Sequence, residues 1–215
     1  DARIKGKRLK PVCGDQVEAE PLADEDDWLI TAVGDRRNEL TRPNMRGQVE
    51  VLAANLDYLL VVAAAEPRPD WFIVDRYLCA AELMGIDAGV VYNKIDVARA
   101  APPTELGDYR SIGYDVVQCS ATSGAGIGDV RALLQTHRAI IVGQSGVGKS
   151  SIINCLLDDA VQRTAGISEK SREGRHTTVN SAMIALPGGG HIIDSPGVRD
   201  YAPALESSSI ASQGF

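Results

Sequence analysis

One glycine-rich run constrains the fold of this chain more than any other feature of its sequence. Residues 143–150 read Gly-Gln-Ser-Gly-Val-Gly-Lys-Ser, which is the G-x-x-x-x-G-K-S pattern of a phosphate-binding loop. The run follows a β-branched apolar segment at residues 139–142 and precedes apolar residues at helical spacing at residues 151–157. This context predicts a strand, a loop and a helix, with backbone N–H groups and the positive helix end turned toward phosphate oxygens.

The loop residues have distinct expected roles. We expect Lys149 to reach the β- and γ-phosphates and the Ser150 hydroxyl to bind Mg²⁺. The other loop positions expected to contact the nucleotide are Gly143, Gln144, Ser145, Gly146, Val147, Gly148 and Ser151. An ordinary glycine-rich turn at a helix start is the alternative, and the strand-loop-helix context disfavours it. The loop alone indicates a nucleoside triphosphate without indicating its base.

The composition is that of a globular protein. Its 215 residues, 44% of them hydrophobic and 24% charged, suffice for one good core or for one domain plus a fragment. No uninterrupted apolar run is long enough to cross a bilayer, and the N-terminus lacks a signal-peptide pattern. We therefore expect a cytoplasmic protein with no membrane partner. The four cysteines are scattered and not at metal-ligand spacing, which favours reduced thiols.

The charge is unevenly distributed along the chain. The net charge of −7 is not that of a generic nucleic-acid binder. Basic residues nevertheless cluster in three groups, namely residues 1–10, then Arg36, Arg37, Arg42 and Arg46, and then Arg163, Lys170, Arg172 and Arg175. An acidic protein can bind RNA through such local patches, but the same groups could equally be solvated faces. Composition alone leaves both interpretations open for the first two groups.

Two regions differ in their hydrophobic pattern. Residues 1–47 show alternating positions and turn signals that predict β-structure, including a strand at 28–33. From about residue 48, buried strands predicted at 57–64, 88–92, 115–119 and 139–142 alternate with helices predicted at 72–84 and 127–134. A hairpin of residues 178–186 and 191–193 is predicted after the glycine-rich loop. The alternation indicates an α/β fold with a mostly parallel sheet and helices on both faces.

A second motif, Asn93-Lys94-Ile95-Asp96, follows the predicted strand 88–92 and indicates the base. A carboxylate at Asp96 can accept two N–H bonds from the Watson–Crick edge of guanine, which adenine cannot supply. Asn93 can bond the outer edge of the base and join neighbouring loops, while the stem of Lys94 can cover the ring. The alternative is an Asn-Lys turn followed by a helix-capping aspartate, and the nearby phosphate loop disfavours it.

The strand at 115–119 leads into a loop of small residues. Ser120 and Ala121 there can offer a backbone N–H to the guanine O6 atom, although Ser-Ala turns are common and the signal alone is weak. Such a loop adds to the base site only if it folds beside the Asn93 motif.

Two further segments complete the predicted magnesium and γ-phosphate site. Asp194 begins the sequence Asp-Ser-Pro-Gly after the strand 191–193, so it can hold Mg²⁺ through water while the Gly197 N–H senses the γ-phosphate. Residues 167–178 lack apolar periodicity and predict a loop that carries Thr177 and Thr178. One of these hydroxyls, for which we prefer Thr178, is expected to complete the Mg²⁺ shell.

The order of these motifs is unusual. In most GTPases the phosphate loop precedes N-K-x-D, whereas here Asn93 precedes Gly143, so the predicted domain is circularly permuted. In these motifs the chain resembles the bacterial GTPases that depend on the small ribosomal subunit, the RsgA/YjeQ family. The matching stretches are residues 36–43, 93–96, 143–151, 174–178, 187–190 and 194–200.

The resemblance implies a fold and a set of partners. It implies a circularly permuted P-loop GTPase domain at 48–215, preceded at 1–47 by a partial OB-fold barrel that binds RNA. It implies GTP or GDP with Mg²⁺ as ligands, and the small ribosomal subunit with its rRNA as the partner whose late maturation the protein serves. We expect a monomer. The family's zinc-binding domain would follow Phe215, so we expect a truncated chain and expect zinc only in that domain.

The hydrolytic step requires a group that orients the attacking water. Many GTPases orient the attacking water with a glutamine after D-x-x-G, but here that position is Val198, so we expect slow hydrolysis without the ribosomal subunit. His176 is the nearest candidate catalytic residue, and the alternative is that it contacts RNA or faces solvent. A non-catalytic, GTP-dependent module that binds RNA or the ribosome is the competing function. A small-molecule kinase is disfavoured because N-K-x-D has no role there.

Overall fold

The structure is a computed structural model that describes residues 2–4, 10–22, 27–43, 48–163 and 181–194. The strands in these ranges are β1 (Ala2–Ile4), β2 (Val17–Pro21), β3 (Trp28–Val33), β4 (Glu39–Pro43), β5 (Val49–Ala54), β6 (Tyr58–Ala64), β7 (Asp87–Asn93), β8 (Asp115–Gln118), β9 (Arg138–Val142), β10 (Ala182–Ala185) and β11 (His191–Asp194). The helices are α1 (Trp71–Met84), α2 (Glu105–Ser111), α3 (Ile127–Leu134) and α4 (Lys149–Arg163). None of these helices is long and apolar enough to cross a membrane.

Among the described residues, the main sheet has six strands in the order β10-β11-β9-β6-β7-β8. The five strands from β11 to β8 are parallel, and only β10 is antiparallel, as the second arm of its hairpin with β11. Parallel strands place their carboxyl ends at one edge, so the loops after β6, β7, β8, β9 and β11 emerge together. This arrangement confirms the predicted α/β fold and brings the motifs to one edge.

The central strand β6 shows why the sheet carries helices on both faces. All seven of its residues are buried, as expected for a strand that is covered on both sides. Leu59, Val61 and Ala63 pack in one core with α1 and α2. Leu60 and Val62 point the other way, into a second core with α3 and α4. The near-continuous apolar run at 57–64 is therefore explained by two cores that share one strand.

The helices follow local signals where these are strong. Helix α1 begins after Asp70, whose side chain accepts a hydrogen bond from the Ile73 N–H, and ends at Gly85 with φ 65°. Helix α2 was not predicted from the sequence. It has seven residues, contains Gly107 and buries only Leu106 and Tyr109, so its apolar pattern is too short to detect.

The N-terminal strands form two small sheets, a three-stranded one in the order β1-β3-β2 and the hairpin of β4 with β5. They are consistent with part of an OB-like barrel. Strand β5 was not predicted, and its pairing with β4 crosses the expected boundary between residues 47 and 48. The division of the chain at that boundary stays a prediction.

The second basic group is largely neutralised within the chain. The Arg36 guanidinium bonds the buried Asp15 carboxylate at 2.6 Å, and this partner raises the already high pKa of Arg36 further. The other ion pairs of the group are Arg36–Glu39 at 3.0 Å, Arg37–Asp57 at 2.8 Å and Arg42–Glu50 at 2.9 Å. Arg46 lies outside the described residues. Each of these three arginines thus faces a carboxylate of its own chain, and the Arg36–Asp15 pair is largely shielded from solvent.

Candidate nucleotide-binding site

The glycine-rich loop joins β9 to α4 at the carboxyl edge of the main sheet. Gly143 has φ 137°, and a Cβ there would overlap the Val62 carbonyl oxygen on β6. Gly148 has φ 95°, and a Cβ there would overlap the Asn93 side chain. Both glycines therefore combine a left-handed backbone with close approach by a neighbouring strand or motif, and a side chain fits at neither.

The loop folds around the Lys149 side chain. Lys149 is only 8% exposed, and its Nζ atom donates hydrogen bonds of 2.7 Å to the carbonyl oxygens of Gly143 and Gln144. The ammonium is thus held on the inner side of the loop by main-chain carbonyl groups. A preorganised cation at a helix N-terminus suits a phosphate chain.

The N-K-x-D motif contacts the phosphate loop directly. Asn93 is 1% exposed, and its Nδ2 atom donates to the Val147 carbonyl at 2.9 Å. Lys94 has φ 63°, and its Nζ atom donates to the Gly146 carbonyl at 2.7 Å. Two motifs separated by some fifty residues along the chain therefore form one structure.

The 119–123 loop, which follows β8, is hydrogen-bonded to the end of β7 and to α4. Ser120 is fully buried and its Oγ atom accepts the Ser123 N–H at 3.1 Å. The Ala121 N–H donates to the Asn93 Oδ1 atom at 3.1 Å, and the Cys155 thiol of α4 donates to the Ala121 carbonyl at 3.2 Å. The Ser120 N–H donates to the Ala125 carbonyl at 2.9 Å. Both expected donors are thus already engaged, and their contact with a guanine O6 atom stays a prediction.

Two of the cysteines, expected only to be reduced thiols, lie in this region, and the sequence did not predict that place for them. Cys119 is fully buried and its Sγ atom lies 3.5 Å from the Asn93 Oδ1 atom, while burial raises the pKa of its thiol to about 12. Cys155 makes the contact with the Ala121 carbonyl described above. Each is a single small residue within an apolar stretch, and neither carries a local pattern that separates it from an ordinary core position.

The loop residues enclose a cleft of about 400 Å³ at this edge of the sheet. This volume lies within the ~300–1,000 Å³ that small-molecule pockets occupy. The lining residues are Lys94, Ser145, Gly146, Gly148, Lys149, Ser150 and Ser151. Positive side chains, hydroxyls and backbone at a helix N-terminus form this lining, which is the chemistry that an anionic ligand requires.

The remaining predicted site residues lie at the carboxyl edge of the main sheet or outside the described part of the chain. Asp96 is exposed just beyond the carboxyl end of β7, and Asp194 is half-buried at the end of β11, the strand beside β9. No cluster of three or more His, Cys, Asp or Glu suited to a metal occurs among the described residues. The predicted residues outside the described ranges are His176, Thr177, Thr178, Gly197 and Val198.

Comparison with known proteins agrees with this geometry. Residues 33–203 match the family model described as RsgA GTPase. The chain is 42% identical over 178 residues to the small ribosomal subunit biogenesis GTPase RsgA of Azotobacter vinelandii, covering 81% of this chain and 52% of that protein. It is 40% identical over 208 residues to the protein of the same name from Ectopseudomonas mendocina, covering 95% and 60%. The chain thus spans about half to three fifths of the length of these relatives.

Solved structures agree with the fold. The crystal structure of YjeQ from Thermotoga maritima has a TM-score of 0.63 and 27% identity, over 90% of this chain and 64% of that one. YloQ, described as a circularly permuted GTPase, has a TM-score of 0.60 and 24% identity, over 91% and 61%, and supports the fold alone. With its permuted motif order, its joined loops and a family match across most of its length, the chain belongs to the RsgA GTPase family.

Proposed function

We propose that this protein binds GTP in the cleft and hydrolyses it to GDP and phosphate. The observation that carries the proposal is the direct bonding of Asn93 and Lys94 to the phosphate loop. Because the base motif and the phosphate loop are hydrogen-bonded to each other, one nucleotide would contact both. Its base would lie beside Asp96 and its phosphates beside Lys149. The names of the relatives, which are called GTPases, support the same conclusion.

The base would be selected by Asp96. Its carboxylate is exposed beyond the end of β7, so both of its oxygens are available to accept the two N–H groups of a guanine edge. Adenine presents an acceptor at the corresponding ring nitrogen, and the mismatch leaves a polar group unpaired at a cost of ~1–3 kcal/mol. Lys94, held at Gly146, would place its aliphatic stem across the ring.

The phosphates would lie along the loop from Ser145 to Ser151, with the Lys149 ammonium beside the β- and γ-phosphates. The donor set fits Mg²⁺, because the exposed Ser150 hydroxyl and the Asp194 carboxylate are the hard oxygen ligands that this ion prefers. Ser150 would bind the ion directly and Asp194 through water, and Thr177 or Thr178 would complete its shell. Bound Mg²⁺ would neutralise part of the phosphate charge.

We infer that hydrolysis is slow until the small ribosomal subunit binds. Valine at position 198 has no polar atom to orient water, so another group must do so, and His176 is our candidate. The names of the relatives support a role in the maturation of that subunit, and contact with its rRNA and action as a monomer in the cytoplasm belong to the same proposal. Val198 is also the observation that favours the competing function, a GTP-dependent binding module without catalysis.

The decisive experiment compares guanine with adenine nucleotides in the full-length protein. We expect calorimetry to find GDP bound at least about tenfold more tightly than ADP, and Asp96→Asn to weaken GDP binding by about tenfold or more. Asp129→Asn, which removes an exposed carboxylate in α3, is the matched control and should bind GDP as the wild type does. Equal affinity for GDP and ADP would exclude a guanine site.

Phosphate release then separates the two functions. GTP turnover that rises when small ribosomal subunits are added supports the hydrolase. Tight GDP binding without turnover under either condition supports the binding module instead. His176→Ala tests the catalytic histidine, since an unchanged stimulated rate would remove His176 from the mechanism.

A further inference from the structure

The phosphate loop is held at four positions by groups outside it. Gly143 lies against the Val62 carbonyl of β6, and the carbonyls of Gly146 and Val147 accept the side chains of Lys94 and Asn93. The fourth anchor is the side chain of Gln144. Its Oε1 atom accepts the backbone N–H of Asp70 at 3.0 Å, which ties the loop to the start of α1.

Asp70 is a suitable place for such an anchor. It is the N-cap of α1, so its own N–H group precedes the helical hydrogen-bond ladder and needs a partner from elsewhere. Its carbonyl and carboxylate are already used within the first turn, where they accept the N–H groups of Ile73 and Val74. Gln144 therefore bonds a main-chain group whose position is fixed by the helix.

Gln144 makes one contact through its side chain and another through its main chain. While its side chain bonds Asp70, its main-chain carbonyl accepts a hydrogen bond from the Lys149 ammonium at 2.7 Å. The Gly143 carbonyl, which also accepts from this ammonium, belongs to a residue packed against β6. Fixing the Gln144 side chain limits rotation of its peptide plane, and so it limits where the Lys149 ammonium can lie.

We propose that Gln144 is a positioning residue that couples the N-terminus of α1 to Lys149. The inference rests on the proposed function, in which Lys149 stabilises charge on the β- and γ-phosphates during hydrolysis. Without the bond to Asp70, the ammonium is less well placed for the transition state, while the rest of the loop still binds the nucleotide. The loss therefore falls on kcat more than on KM.

The test uses Gln144→Met in the full-length protein, because methionine has the same reach but no oxygen acceptor. With small ribosomal subunits present, we expect kcat for GTP to fall about fivefold, equivalent to about 1 kcal/mol, with KM changed less than about twofold. We also expect faster hydrogen exchange of the Asp70 amide by NMR, measured without nucleotide. Gln135→Met, an exposed glutamine at the opposite edge of the sheet, is the matched control and should change neither quantity.

The outcomes separate this inference from the function on which it rests. If Gln144→Met keeps the kcat of the wild type, or if Asp70 exchange is unchanged, the positioning role is wrong. A parallel fall in the midpoint of thermal unfolding, absent in Gln135→Met, would show a general structural role instead. If the wild type fails to hydrolyse GTP even with small ribosomal subunits present, the proposed function is wrong, and the exchange measurement still decides whether the bond to Asp70 exists.

Discussion

At the scale of single residues, Asn93 is the point on which the site converges. Its amide joins the end of β7 to two loops, because Nδ2 donates to Val147 while Oδ1 accepts from Ala121 and faces the Cys119 thiol. A side chain that is 1% exposed cannot exchange these partners for water. Its packing also explains why Gly148, whose added Cβ would overlap Nδ2, has no room for a side chain.

Gly148→Ala tests the packing of Gly148 against the Asn93 side chain. Alanine would adopt a φ of 95° unfavourably and would push the Asn93 amide away from Val147. We expect the free energy of unfolding to fall by about 1–2 kcal/mol and the affinity for GDP to fall by about tenfold or more. Urea titration and calorimetry measure the two effects.

The control for this prediction is Gly128→Ala in α3, where an added Cβ meets no atom within 4 Å. That change should raise the free energy of unfolding by about 0.5–1 kcal/mol, since alanine loses less entropy than glycine in a helix. It should leave GDP affinity unchanged. Equal behaviour of the two variants would mean that the contact between Gly148 and Asn93 does not shape the site.

At the scale of helices and strands, three tyrosine–carboxylate pairs hold the elements together. Their bonds are Tyr58–Asp115 at 3.0 Å from β6 to β8, Tyr109–Asp75 at 2.6 Å from α2 to α1, and Tyr114–Glu82 at 3.0 Å from the loop before β8 to α1. Burial, followed by the neighbouring carboxylate, raises the pKa of Tyr114 to about 12 and raises the pKa values of Tyr58 and Tyr109 strongly. The folded chain thus keeps phenol protons that the unfolded chain releases near pH 10.

We therefore predict that the free energy of unfolding decreases as the pH rises above about 10. In that range the folded state binds more protons than the unfolded state, so the slope with pH is negative. At about pH 10.5, each tyrosine should lower the free energy of unfolding by less than about 1 kcal/mol. Urea titrations at pH 8 and about pH 10.5 measure the loss, and it should be smaller in the Tyr58→Phe, Tyr109→Phe double variant. An identical pH dependence in that variant would contradict the assignment.

At the scale of the whole molecule, a polar joint connects the N-terminal strands to the main sheet. It consists of Arg37, Asn38, Asn55, Asp57 and Arg138. Asn55 is 3% exposed, and its side chain accepts the Arg37 N–H at 2.8 Å and donates to the Gly14 carbonyl at 3.0 Å. Asp57 accepts the Arg37 guanidinium at 2.8 Å and the Arg138 N–H at 3.2 Å. Arg138 begins β9 and the phosphate loop follows the end of β9, so the joint and the loop lie at opposite ends of the same strand.

Asn38→Ala should weaken this joint. The Asn38 side chain donates to the Leu56 carbonyl at 2.9 Å and accepts the Leu56 N–H at 2.8 Å, and Leu56 is fully buried. Alanine lacks the amide that makes both bonds, so the N–H and the carbonyl of Leu56 would each lose this hydrogen bond. We therefore expect the free energy of unfolding to fall by about 1–3 kcal/mol. Chemical denaturation followed by circular dichroism measures the change.

Asn154→Ala is the matched control, because Asn154 is an exposed residue of α4. Alanine favours a helix more than asparagine does, so this variant should be as stable as the wild type or slightly more stable. A cost for Asn38→Ala no larger than that of Asn154→Ala would mean that the joint does not stabilise the contact between the two regions.

The two cores and the site differ in how far the sequence predicted them. The helix at 127–134 and the buried strands of the main sheet follow from strong apolar patterns and were predicted within a residue or two. Helix α2 and the hairpin of β4 with β5 were not, because short amphipathic segments resemble loops. The arginines at 36, 37 and 42 show a further limit, since a basic cluster reveals nothing about the acids that will face it.

By itself, the sequence determined the α/β alternation, the permuted order of the motifs and the residues that form them, because these depend on local spacing and on residue chemistry. Only the tertiary structure decided that Asn93 and Lys94 bond the phosphate loop, that Gln144 bonds the start of α1, and that Cys155 braces Ala121. These contacts join segments far apart in the chain. The packing of parallel strands brings them together at one edge of the sheet, and no local pattern encodes that packing.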